Sequence, residues 1–119
     1  MDIFFAHHKL EKEFNDARLL QRCRGKVQAE KIKARMVQIQ AAIHLDQLRP
    51  PMPGHFHALT SDKAGWIACD LDGPYRLILE PDHDPLPVLD AGGLDWKKVT
   101  RIRIAGVLNY HERNKQKPV

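Results

Sequence analysis

Arg76, Tyr110 and His111 are the residues of this chain whose types suit phosphate chemistry. An Arg holds a phosphate through its planar fork of N–H donors. A His that titrates near neutrality moves a proton. A Tyr stacks on an unpaired base or donates its hydroxyl. Arg76 stands in Tyr75-Arg76-Leu77-Ile78-Leu79, where it is expected on the Leu77 and Leu79 side of a strand, at a sheet margin; Asn109-Tyr110-His111 closes the last strand. Each has an ordinary alternative, Arg76 as a salt-bridging surface residue and His111 as a hydrated strand end. Residue type and spacing therefore stop at a basic domain without an assigned reaction.

Other chemistries find less support. The chain has 7 His, but His7-His8 and the alternating His55 and His57 come without a Cys-x-x-Cys or His-Glu-x-x-His pattern, so no metal site is expected. His55 and His57 read as ordinary strand residues and His83 as a loop residue. Cys69 lies in an apolar strand and reads as core, with no sign of an activated thiolate. With 2 Cys the chain is neither a disulfide scaffold nor a four-thiolate zinc protein. Neither a phosphate-binding Gly-rich loop nor a Gly-x-Ser-x-Gly elbow occurs, which leaves nucleoside triphosphate and acyl-transfer chemistry unsupported, and no cofactor is expected.

The elements that must position these residues follow from hydrophobic period. Ile3-Phe4-Phe5 reads as an opening strand. From His8, Leu10, Phe14 and Ala17 share one face of a first helix. After Gly25 a second helix runs from about Lys26 to Leu45, with Ala29, Ile32, Met36, Ile39 and Ile43 as its apolar stripe. Arg49-Pro50-Pro51-Met52-Pro53-Gly54 cannot continue a helix. Beyond it the period becomes two: Phe56 to Leu59, Trp66 to Leu71, Tyr75 to Glu80 and Val99 to Leu108 read as strands. Asp72-Gly73 is a hairpin signal, residues 81–98 form a long acidic loop, and Ile102 and Ile104 face away from Arg101 and Arg103. The expected fold is α+β, in the order β-α-α-β-β-β-β, with two N-terminal helices packed on a small antiparallel sheet.

At 119 residues there is room for one domain, expected over 1–111, with a polar tail over 112–119. No apolar run approaches bilayer length, so no membrane span is expected. The start Met1-Asp2-Ile3-Phe4-Phe5 is unlike a secretory signal, and a cytoplasmic location is expected. The net charge of +4 is unevenly spread. Residues 1–50 carry 10 bases and 6 acids, residues 51–95 carry 2 and 8, and residues 96–119 carry 7 and 1. Such runs are ordinarily solvated faces; their functional reading is a basic surface for phosphate and an acidic one turned from it or toward a basic partner.

The stretch from His57-Ala58-Leu59-Thr60-Ser61-Asp62-Lys63-Ala64-Gly65-Trp66 to Asp70-Leu71-Asp72-Gly73-Pro74-Tyr75-Arg76-Leu77-Ile78-Leu79-Glu80-Pro81 resembles the HigB group of the RelE/ParE toxin superfamily, the plasmid maintenance system killer family. The ending Val99 to His111, the opening strand, the Lys9-Leu10-Glu11-Lys12 helix start and the helix spacing are similar too, so the likeness covers almost the whole chain. It rests on joint order and spacing, not on one motif. The resemblance implies a RelE-like fold and a metal-independent, ribosome-dependent mRNA endoribonuclease, the toxin of a type II toxin–antitoxin system, neutralised by a HigA-type helix-turn-helix antitoxin. It implies that the 2′-OH of one nucleotide attacks the adjacent phosphate, with His111 as general acid or base, Arg76 as phosphate clamp and Tyr110 as a stacking or hydrogen-bonding group. Lys97, Lys98, Arg101 and Arg103 become candidates for ribosomal RNA.

Three positions depart from that pattern. Members often carry Lys where this chain has Thr60, and Lys63 is the nearest replacement cation. An acid commonly precedes the Tyr-His pair, where Asn109 stands, and Asn commonly stands at the position of Pro74. These departures keep open a catalytically weak module that retains antitoxin and ribosome binding. A ParE-like gyrase poison on the same fold is the other alternative, disfavoured by Tyr110-His111.

Overall fold

Strand β1 (Asp2–Phe5) opens the chain, followed by helices α1 (His8–Phe14), α2 (Ala17–Arg24) and α3 (Lys26–Ala41). The structure is a computed structural model that describes residues 1–59 and 65–110. The first helical stretch, expected as one helix, is two. Asn15 and Asp16 interrupt it, and the Asp16 carboxylate accepts from the N–H groups of Arg18 at 3.0 Å and Leu19 at 3.1 Å, an N-cap that starts a new helix. His7 caps α1 in the same way, its Nδ1 accepting from Leu10 N–H at 3.2 Å. Between α2 and α3, Gly25 has a φ of 83°, a conformation open to Gly and strained for residues with a Cβ.

The apolar stripe of α3 buries Ala29, Ile32 and Ile39 and half-buries Met36. It stops there. The helix ends at Ala41, short of the expected Leu45, and Ile43 is exposed. Ala42 turns to extended backbone with ψ 142°, and the Ile43 N–H donates to Gln47 Oε1 at 2.8 Å. The Met1 ammonium donates to the carbonyls of Ile39, Gln40 and Ala42, placing positive charge where the helix dipole is negative. A separate 3₁₀ turn, Leu45–Leu48, returns Leu45 and Leu48 to the core.

Strands β2 (His57–Ala58), β3 (Ile67–Asp70), β4 (Tyr75–Pro81) and β5 (Arg101–Asn109) complete an α+β fold. The sheet order is β1-β5-β4-β3-β2. The expected antiparallel sheet is mixed: β2, β3, β4 and β5 pair antiparallel, but β1 runs parallel to β5, from Asp2 opposite Arg101 to Phe5 opposite Ile104. Parallel neighbours need a long crossover, and here the whole chain between the two strands supplies it. The Asp72-Gly73 hairpin forms as expected, with Tyr75 N–H donating to Asp72 O at 2.9 Å.

Period two divides the sheet's faces. Ile67, Cys69, Leu77, Leu79, Ile102, Ile104 and Val107 join Leu10, Leu20, Ile32 and Ile39 of the helices in the main core. The outer face has a small apolar centre of its own, Ala68, Ile78, Ala105 and Leu108, with Leu59, Trp66 and Tyr110 packed against it. Within the expected acidic loop, Val88 and Leu94 form an isolated bridge, and Trp96–Lys98 make a 3₁₀ turn that buries Trp96. Among the described residues no helix is long and apolar enough to cross a membrane.

Candidate functional site

Antiparallel pairing sets Asp70 of β3 directly opposite Arg76 of β4, so their side chains leave the sheet on one face. Arg76 Nε lies 3.0 Å from Asp70 Oδ1, an ion pair rather than an aligned hydrogen bond, and the Arg76 side chain keeps 21% of its exposure. Its Nη1 donates to the carbonyls of Gly73 at 2.8 Å and Tyr75 at 2.9 Å. The guanidinium carbon stands 4.9 Å from the centre of the Tyr110 ring, a cation–π separation. Among the described residues no hydrogen bond uses Nη2, and that edge of the fork is the one a phosphate oxygen would meet.

Arg76 does sit at a margin, beside the hairpin that starts β4. The expected placement on the side of Leu77 and Leu79 does not hold. Successive strand residues alternate, so Leu77 and Leu79 enter the main core while Arg76 joins the outer face with Ile78 and Tyr110. Tyr110 follows β5 directly and is anchored by its N–H, which donates to Pro74 O at 2.9 Å. The sequence-derived pair Arg76 and Tyr110 is thus brought together. Lys63 and His111 lie outside the described residues.

His55 and His57, expected as ordinary strand residues, stand beside this pair, and only His57 lies in a strand. His55 has a φ of 48°, a left-handed conformation uncommon for residues with a Cβ, and its Nδ1 lies 3.8 Å from Asp70 Oδ1. Its ring stacks on that of His57 with centroids 4.5 Å apart. His57 Nδ1 is 2.7 Å from the His55 carbonyl oxygen. In the neutral ring that contact places the proton on Nδ1 and leaves Nε2 as an acceptor. The signal was present in the His55-x-His57 alternation. What one strand could not reveal is the register, in which His57 faces Ala68 and position 55 falls near Asp70.

The four bases expected as candidates for ribosomal RNA do not converge on Arg76. Arg103 pairs with Glu80 and Arg76 with Leu108 across β4 and β5, which puts the two arginines roughly 16 Å apart along the sheet at about 3.3 Å per residue. Arg101 and Arg103 face acids of the middle segment. Arg103 contacts Asp82 at 2.9 Å and Glu80 at 3.8 Å, and Arg101 contacts Asp82 at 3.7 Å. Lys97 and Lys98 are exposed on their 3₁₀ turn.

Cys69 is wholly buried, and burial pushes its thiol far above the ordinary range, which suits a core residue and not a nucleophile. Among the described residues no group of three His, Cys, Asp or Glu side chains is arranged to hold a metal. Compared with protein-family models, with curated proteins and with solved structures, the chain matches none of them.

Proposed function

We propose that this chain is the toxin of a type II toxin–antitoxin system, a HigB-like, ribosome-dependent mRNA endoribonuclease that acts in the cytoplasm and is neutralised by a HigA-type antitoxin. The observation that carries the reading is the Arg76 guanidinium stacked 4.9 Å over Tyr110, at the point where the chain continues into His111. In the proposed reaction the 2′-OH attacks the neighbouring phosphorus, the 5′-oxygen leaves, and a 2′,3′-cyclic phosphate remains. Arg76 Nη2 holds a phosphate oxygen as charge develops. Tyr110 carries a base or steadies the guanidinium, and His111 accepts or returns the proton. The ribosome aligns the mRNA, so few protein groups suffice. Lys63 supplies a further cation in place of Thr60, and Lys97, Lys98, Arg101 and Arg103 are rim contacts to ribosomal RNA.

A second reading, a weak or inactive module that keeps antitoxin and ribosome binding, draws on the Asp70–Arg76 ion pair, which offsets the clamp's charge, and on Thr60. Expression without antitoxin, together with a ribosome-programmed cleavage assay, separates the readings. Wild type is expected to halt growth and truncate translated mRNA, and His111→Ala to lower cleavage on the order of 10²- to 10⁴-fold, the usual worth of one proton-transfer group. Ribosome binding without cleavage selects the module. Arrest with intact mRNA and damaged DNA selects a gyrase poison. Arrest that survives both His111→Ala and Arg76→Ala removes these residues from the mechanism.

A further inference from the structure

We propose that the cleft between α2 and α3 is a docking site for the phosphate backbone of RNA. Ala17, Arg18, Gln21 and Arg22 of α2 and Lys33 of α3 line an open cleft of about 390 Å³. The three basic side chains are exposed, and among the described residues none of them forms an ion pair, side-chain hydrogen bond or ring contact. All the other described arginines meet an acceptor, from the bidentate Arg24–Glu13 pair to the contacts of Arg101 and Arg103 with Asp82. The two that do not are together, beside a lysine, at one concavity.

Folding alone disfavours this placement. Arg18 occupies the first turn of α2, where a cation opposes the helix dipole. Arg22 follows at i+4, a like-charge neighbour on the same face. The nearest carboxylate, Asp16, accepts from the N–H groups of Arg18 and Leu19 through Oδ1 and pairs with neither arginine side chain. A bound polyanion would relieve all of these. The lining separates RNA from an acidic polypeptide: apart from Ala17 it holds no apolar side chain, whereas protein partners need buried apolar anchors. A phosphate backbone needs only charge and N–H donors.

The site rests on the RNA-directed reading above and adds a second contact surface to it. It lies on the helical layer, behind the sheet face that carries Arg76. The test is binding of the full chain to a labelled RNA hairpin across a potassium chloride series, read by fluorescence anisotropy. For R18A/R22A/K33A the slope of log affinity against log salt is expected to be shallower by about 3, near one unit per lost phosphate contact. Affinity at low salt is expected to fall at least on the order of tenfold. R18K/R22K is expected to keep the wild-type slope. Arg18→Ala and Arg22→Ala alone are each expected to lower it by about one, which preserves the test if the triple variant does not fold by circular dichroism.

Wild-type slope and affinity in the variants overturn the proposal. So does absence of RNA binding by the wild-type chain, or loss only of binding to polyglutamate. If the slope change is found but ribosome-programmed mRNA stays intact, the cleft stands and the endoribonuclease reading falls. Cleavage that depends on His111 with no slope change has the opposite meaning.

Discussion

Asp70 holds the Arg76 fork from across the β3–β4 pair, while the carbonyls of Gly73 and Tyr75 take its Nη1 protons. The guanidinium is therefore held in one orientation, and its charge is partly offset. A partly exposed pair of this kind contributes little to stability. A double-mutant cycle with Asp70→Ala and Arg76→Ala, followed by urea unfolding, is expected to give a coupling of about 0.2–1 kcal/mol. A coupling well above 1 kcal/mol would show that the pair is shielded from water rather than screened by it. Arg76 and Tyr110 could be picked from residue type alone. Asp70 and His55 could not, because their relevance comes from register and from a backbone turn at φ 48°.

Among the elements, α2 owes its independence to one side chain. The Asp16 carboxylate satisfies two N–H groups at the start of α2, and the Glu13–Arg24 pair, with contacts at 2.5 and 3.1 Å, fastens the end of α1 to the end of α2. Asp16→Ala is expected to destabilise the protein by about 1 kcal/mol, the common worth of an N-cap, as a lower midpoint in thermal or urea melts. An unchanged midpoint would show that packing alone starts the helix. The signal for the break was legible, an Asp before Ala17-Arg18-Leu19, but the apolar spacing across it mimics one continuous helix. Ile43 shows the same limit: it keeps the helical spacing although the helix has already ended at Ala41.

Across the whole molecule, β5 is the hub, pairing with β1 on one side and β4 on the other and burying Ile102 and Ile104 completely. Ile102→Ala is expected to cost about 2–5 kcal/mol, a large part of the roughly 5–15 kcal/mol that holds a domain folded. A shift below about 1 kcal/mol in urea unfolding would contradict a central β5. The same pairing reshapes the charge. The acidic middle and the basic ending are adjacent strands, so Glu80 and Asp82 meet Arg101 and Arg103 within the molecule. Among the described residues, the arginines without an acidic or carbonyl partner are Arg18 and Arg22, on the helical layer.

The sequence by itself determined the α+β class, the order of most elements, the Asp72-Gly73 hairpin and the inward side of Ile102 and Ile104. These depend on period, caps and turns, which act within a few residues. Only the tertiary structure decided that β1 lies parallel to β5, which face of the sheet carries Arg76, that Asp70 and His55 stand beside it, and which bases find acids. Such facts join positions far apart in the chain, and only hydrogen-bond register between strands brings those positions together.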